Sequence, residues 1–219
     1  MHTIAKYFQA VCYWLAYGLL RIFAHFKIEE QENLKGLEEI GVIFAANHKK
    51  WMDPGVGAVA LPRDTGEFYP KKFFPVRFLA HARFFKLRYL LIALYVWING
   101  SIPVCRGKKT TDEGLKNILA EAVKALRNKE KVWIFPEGKV SKDGSLGKGK
   151  RGVAYLHKIT GAPIVPVAIL GTDKLHSPAV LLGRIRVTVR FGKPIYSLKA
   201  DNLFEASQEV MAAIAELMR

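Results

Sequence analysis

The run Gly41-Val42-Ile43-Phe44-Ala45-Ala46 is apolar at every position and leads directly into Asn47-His48. A strand with one wet face alternates apolar and polar residues. A run without alternation reads as a strand buried on both faces, as in a sheet with helices on either side. Residues 131–135 and 163–170 are further candidates for inner strands, 184–191 alternates instead, and shorter strands are expected at 26–29, 77–80 and 101–105. Between them lie segments of helical character at 54–61, 84–98, 111–128, 148–160 and 201–218. The third carries Leu115, Ile118, Leu119, Ala122 and Leu126 at helical spacing behind Thr111, a favourable cap. This alternation predicts an α/β fold: one domain with a mostly parallel or mixed sheet flanked by helices. A chain of 219 residues can bury one sizeable core, and two independent domains would be cramped.

The N-terminal segment stands apart. From Tyr7 to Phe26 the chain is almost wholly apolar, and about 20 such residues would span a bilayer core. Gln9, Arg21 and His25 interrupt it, and Arg21 would be costly at bilayer depth. On a helical wheel Phe8, Val11, Cys12, Leu15, Gly18, Leu19, Ile22 and Phe23 share one apolar arc. Lys6, Gln9, Tyr13, Tyr17, Arg21 and His25 fall on the other half with Trp14 and Leu20. Residues 1–26 are therefore expected to be an amphipathic helix lying in the membrane interface, preceding a domain at 27–219. The competing arrangement packs this helix on the domain's own core. A secretory signal fits less well, because only His2 and Lys6 precede the apolar run and no clear cleavage site follows it.

Thirty-four Lys and Arg against 19 Asp and Glu give a net charge of +15, which favours an anionic membrane surface, nucleic acid or acidic substrates as partners. No basic helix interleaved with exposed aromatics appears, so no nucleic-acid partner is expected. The Gly- and Lys-rich loop at 141–152 lacks phosphate-loop spacing. Cys12 and Cys105 are too few for a disulfide framework, and no Cys/His array suggests a metal. Both read as inert thiols in a reducing, intracellular compartment.

The chemistry centres on His48 and Asp53. In one continuous helix, side chains five residues apart diverge by about 140°, so a turn must intervene for the two to meet. Asp53 precedes Pro54, and a residue before proline avoids the helical region, which favours a strand-turn-helix that folds the carboxylate back. A carboxylate accepting one ring N–H fixes the imidazole tautomer, frees the other nitrogen for a proton and stabilises the resulting imidazolium. The plainer alternative is a helix-capping Asp beside an unrelated His. Arg106 and Glu137 also fall at expected strand ends, where α/β folds gather ligand-binding groups.

Four segments occur in order: Asn47-His48 with Asp53, Gly100-Ser101-Ile102-Pro103-Val104-Cys105-Arg106, Phe135-Pro136-Glu137-Gly138 and Pro163-Ile164-Val165-Pro166-Val167. In order and spacing they resemble the four blocks of the glycerolipid acyltransferase family, best known through 1-acylglycerol-3-phosphate acyltransferase. The resemblance implies a membrane-associated O-acyltransferase in which His48 deprotonates a lysophospholipid hydroxyl and Asp53 orients it. The hydroxyl would attack the thioester of acyl-CoA or acyl carrier protein directly. It further implies no cofactor and no metal, placement at the cytoplasmic face, and acceptor binding through Asn47, Arg106, Glu137, Gly138 and Lys139. Gly138 could also serve the developing oxyanion. The family usually follows F-P-E-G with Thr-Arg-Ser, whereas this chain has Lys139-Val140-Ser141 and so lacks that arginine. Arg83, Lys150 and Arg151 are candidates to replace its charge. The same departure, with His81, looks somewhat like tafazzin, a relative that moves acyl chains between phospholipids and lysophospholipids.

Overall fold

The computed structural model of the chain describes residues 2–63, 72–105, 111–141, 143–177, 183 and 185–219. Its centre is made from the inner strands β2 (Val42–Ala46), β5 (Lys131–Ile134) and β6 (Ile164–Leu170). Outside them lie β1 (Ala24–Glu29), β3 (Val76–His81), β4 (Ile102–Val104) and β7 (Ile185–Phe191), in the sheet order β1-β7-β6-β2-β5-β3-β4. All neighbours pair in parallel except β6 and β7. The sheet is therefore mixed, with β1 and β7 running against the other five.

Within β2, Phe44 faces one core with Trp133, Val165 and Val167, beneath α1 (His2–Phe23) and α2 (Asp53–Val59). Ile43 and Ala45 face the other, with Val132 and Ile164, beneath α4 (Asp112–Arg127), α5 (Gly152–Thr160) and α6 (Leu203–Leu217). Burial on both faces is the physical content of the missing alternation. Thr111 caps α4 by accepting from the Gly114 amide at 3.1 Å, and Gly161 closes α5 at φ 68°. Lys131, 3% exposed, donates its ammonium to the carbonyls of Glu38, Ile40 and Lys129, and burial lowers its pKa to about 8.

Two helices, α5 and α3 (Leu90–Ile98), begin well after their expected starts at 148 and 84. α5 begins at Gly152 because Gly147, Gly149 and Lys150 commit their amides to Glu137, Gln208 and Pro136. Extended backbone at Lys86 (ψ 143°) interrupts the segment at 84–98, leaving short 3₁₀ turns before α3.

α1 docks by its more polar half. Gln9, 4% exposed, donates to the carbonyls of Val76 (2.9 Å) and Asn99 (2.7 Å) and accepts from the Val76 amide (2.9 Å). Tyr13 is buried, and the Arg63 guanidinium lies 3.7 Å over the Trp14 ring. On the apolar arc Val11, Leu15, Leu19 and Ile22 are exposed, the last by 70%, while Phe8, Cys12, Gly18 and Phe23 are half-buried. The helix ends at Phe23, and β1 starts at Ala24 in register with Ile185, so the expected helical end at Phe26 lies inside the sheet. Apolar throughout, α3 buries only Val96 and exposes Leu91 by 80%. Among the described residues no helix is long and apolar enough to cross a membrane.

Candidate active site

The register brings the ends of β2, β5 and β6 to one level, Ala45 opposite both Ile134 and Pro166. From β2 the chain turns through residues 47–52 and enters α2 at Asp53, whose carboxylate is fully buried. Its Oδ2 accepts from His48 Nδ1 at 3.0 Å and from the amides of Lys49 (2.6 Å) and Lys50 (2.7 Å). Its Oδ1 accepts from the Thr172 hydroxyl at 2.6 Å. Asp53 thus folds back onto the turn before it. The start of α2 has no side-chain cap, so the capping alternative does not hold.

His48 is fixed by more than its carboxylate. Its amide donates to Glu137 Oε1 (2.9 Å), its carbonyl accepts from the Ser141 amide (2.8 Å), and its ring stacks on Phe135 at 4.0 Å. The side chain keeps 16% exposure. With Nδ1–H donated to Asp53, Nε2 presents a lone pair to any hydroxyl that reaches it.

Three residues expected to touch an acceptor have their polar groups engaged within the protein. Glu137, 3% exposed, uses Oε1 for His48 and Oε2 for the Gly147 amide at 3.0 Å. Asn47, 1% exposed, donates to the Ile169 carbonyl (2.9 Å) and accepts from its amide (2.7 Å), splicing the end of β2 to β6. Gly138 (φ 67°) donates its amide to the Phe135 carbonyl, which removes it as an oxyanion donor. Lys139 and Val140 are exposed, and Arg106 lies outside the described residues. Among the compensating cations, Arg151 pairs with Asp112 at 2.8 Å and Arg83 lies over Phe84. Lys150 alone of these three packs on the turn: a Cβ on Gly138 would lie 3.3 Å from its Nζ, and its amide donates to Pro136.

Thr172 escaped the sequence reading. It follows Gly171, whose φ of 82° suits glycine and where a Cβ would lie 2.0 Å from the Arg186 carbonyl. A Gly-Thr pair just past an inner strand, level with His48, was the available signal. Among the described residues no cluster of His, Cys, Asp and Glu could hold a metal ion.

An imidazole whose Nδ1 is held by a buried carboxylate, so that Nε2 is turned to the opening of the site, suits activation of an incoming hydroxyl. The Acyltransferase family profile matches residues 25–170, enclosing this pair, strands β2 to β6 and all of β1 but its first residue, and the chain belongs to that family. Among its relatives, a chloroplastic 1-acyl-sn-glycerol-3-phosphate acyltransferase of Brassica napus is 26% identical over 99% of this chain and 56% of its own length. A chloroplastic enzyme of the same name from Arabidopsis thaliana is 27% identical over 99% of this chain and 54% of its own. The chain spans about half the length of these curated relatives. The crystal structure of the 1-acyl-sn-glycerophosphate acyltransferase of Thermotoga maritima shares the fold, with a TM-score of 0.69 at 20% identity over 97% of this chain and 79% of that one.

Proposed function

We propose that this protein is a membrane-associated O-acyltransferase that transfers a fatty acyl chain from acyl-CoA or acyl carrier protein to the free hydroxyl of 1-acylglycerol-3-phosphate, giving phosphatidic acid. The observation that carries the reading is the buried Asp53 holding His48 Nδ1 while Nε2 is left to act. Nε2 takes the hydroxyl proton as the oxygen attacks the thioester carbonyl. The tetrahedral adduct collapses, the C–S bond breaks, and the departing thiolate receives that proton. Asp53 balances the imidazolium between these steps. No cofactor is needed.

The acceptor phosphate is assigned to Lys150 and Lys139 beside the 135–138 turn, with Arg106 contributed by the family resemblance. Glu137 and Asn47 act as positioning residues. The outward apolar residues of α1 and α3 meet the membrane, as large exposed apolar surfaces commonly do, and Phe8 and Tyr95 join the two helices at 5.7 Å.

The deciding assay offers lysophosphatidate, lysophosphatidylcholine and glycerol 3-phosphate side by side, with and without acyl-CoA. Preferential, thioester-dependent acylation of lysophosphatidate is expected. Lys150→Ala should raise the lysophosphatidate KM by about tenfold, the scale of one charged hydrogen bond. Transfer from added phosphatidylcholine without thioester would instead favour a phospholipid–lysophospholipid transacylase, a reading motivated by Val140, and transfer to none of the acceptors from acyl-CoA, acyl carrier protein or phosphatidylcholine would refute both. Thr172→Val should lower kcat by about tenfold by removing one hydrogen bond from Asp53, with KM little changed and Thr172→Ser restoring the rate. An unchanged kcat in Thr172→Val would mean that bond is idle.

A further inference from the structure

One edge of the sheet carries charge where the inner strands carry helices. In the register of β1 with β7, His25 lies opposite Arg186, Lys27 opposite Thr188 and Glu29 opposite Arg190. These pairs share one face. The alternate residues, Ile185, Val187 and Val189, point into the core shared with α2, so the charged face looks away from Asp53. Together with Arg21 from the last turn of α1, the charged residues line a groove of about 540 Å³.

Four of these side chains are cations, Arg21, Lys27, Arg186 and Arg190, and Glu29 is the single acid. Glu29 is already shared between Lys27, at 2.6 Å, and Arg190. Arg21 and Arg186 have no ion-pair partner among the described residues, which leaves two guanidinium groups open to an anion. Their position indicates which anion. Arg21 adjoins Ile22, the end of the outward apolar stripe that runs back through Leu19, Leu15 and Val11. A phospholipid surface offers apolar depth along such a helix and phosphate at its end. An acidic soluble protein would match the charge and leave the stripe in water.

We propose that this groove seats the phosphate of an anionic phospholipid in the supporting membrane, at a site separate from the acceptor site. The assignment rests on the membrane reading above and adds the lipid class. Sedimentation with phosphatidylcholine vesicles, and with vesicles also containing phosphatidylglycerol, tests both. Three proteins are compared: wild type, Arg21→Gln/Arg186→Gln in the groove, and Lys116→Gln/Lys124→Gln on the exposed surface of α4, which packs by β3, β4 and β5 toward the opposite edge of the sheet, so that equal charge is removed.

The groove variant should bind phosphatidylglycerol vesicles about thirtyfold more weakly than wild type, from two arginines at an anionic surface. Its binding to neutral vesicles and its melting temperature should hold, and the α4 variant should lose far less. Equal losses in the two variants would mean a diffuse field and overturn the site. Wild type that binds both vesicles alike would overturn the groove and leave the membrane reading standing. Wild type that binds neither would overturn both. If the groove variant keeps its lipid preference but loses saturation by acyl carrier protein, the occupant is a protein and the assignment fails.

Discussion

His48→Ala is expected to cut kcat for acyl transfer by about 10³- to 10⁴-fold while leaving the fold intact. The imidazole supplies the proposed base and, as imidazolium, the proton for the leaving thiolate, and no other described group occupies its place against Asp53. Its side chain is already 16% exposed, so its loss should cost little stability. Asp53→Asn should approach the same kinetic loss by another route. The carboxylate accepts four hydrogen bonds, two of them from backbone amides. An amide presents one acceptor oxygen and one NH₂. Turned to keep its oxygen toward His48, Lys49 and Lys50, it faces Thr172 with NH₂, so that hydroxyl must reverse and its O–H loses its acceptor. The charge that balances the imidazolium is gone in any case. Each buried group left unsatisfied costs about 1–3 kcal/mol, so Asp53→Asn should also melt earlier, unlike His48→Ala. The double variant should be hardly slower than the worse single one, because the pair acts as a unit. Steady-state kinetics and thermal melts decide this, and either single variant retaining kcat within tenfold of wild type would refute the assigned base.

The His48–Asp53 hydrogen bond was legible from its company more than from its spacing, because an inner strand followed by a five-residue interval is a weak pattern alone. Pro54 suggested Asp53 ahead of the helix, whereas Asp53 is the first residue of α2 and the turn is made by residues 47–52. The sheet interior was legible more directly, since unbroken apolar runs admit few other placements. Thr172 was harder, lying 119 residues from the carboxylate it serves. Glu137 and Asn47 show a different limit. A carboxylate or amide at a strand end suits a ligand and a backbone amide equally well, and only burial of 3% and 1% exposure tells which it meets. The wheel of α1 correctly separated two faces, yet either could have been docked. Three hydrogen bonds between Gln9 and the backbone of Val76 and Asn99, two donated and one accepted by Gln9, turn the less apolar half inward, an outcome that hydropathy alone would rank second. The reversal of β7 had a faint trace in its alternation, where Arg186 and Arg190 leave one face wet beside an otherwise covered sheet.

Glu137→Gln separates bracing from acceptor binding. The change is nearly isosteric, but only one amide oxygen remains for two backbone donors, those of His48 and Gly147. One of them must face an NH₂ in a site that is 3% exposed. Losing a charged hydrogen bond there should cost about 1.5–3 kcal/mol. For a chain of this length that is a fall in Tm of about 3–12 °C. If the bond to His48 breaks, the backbone carrying the imidazole loses the one hydrogen bond made by its own amide, and a shift of about 1 Å at the reacting nitrogen can cost 10²-fold in rate. The expected result is therefore a coupled loss of Tm and kcat with the lysophosphatidate KM nearly unchanged. A side chain that gripped the acceptor would do the reverse, raising KM while Tm stayed put, and that outcome would return Glu137 to the substrate. The isosteric change is the informative one, because Glu137→Ala would empty the space between residues 48 and 147 and mix cavity formation with the lost hydrogen bonds.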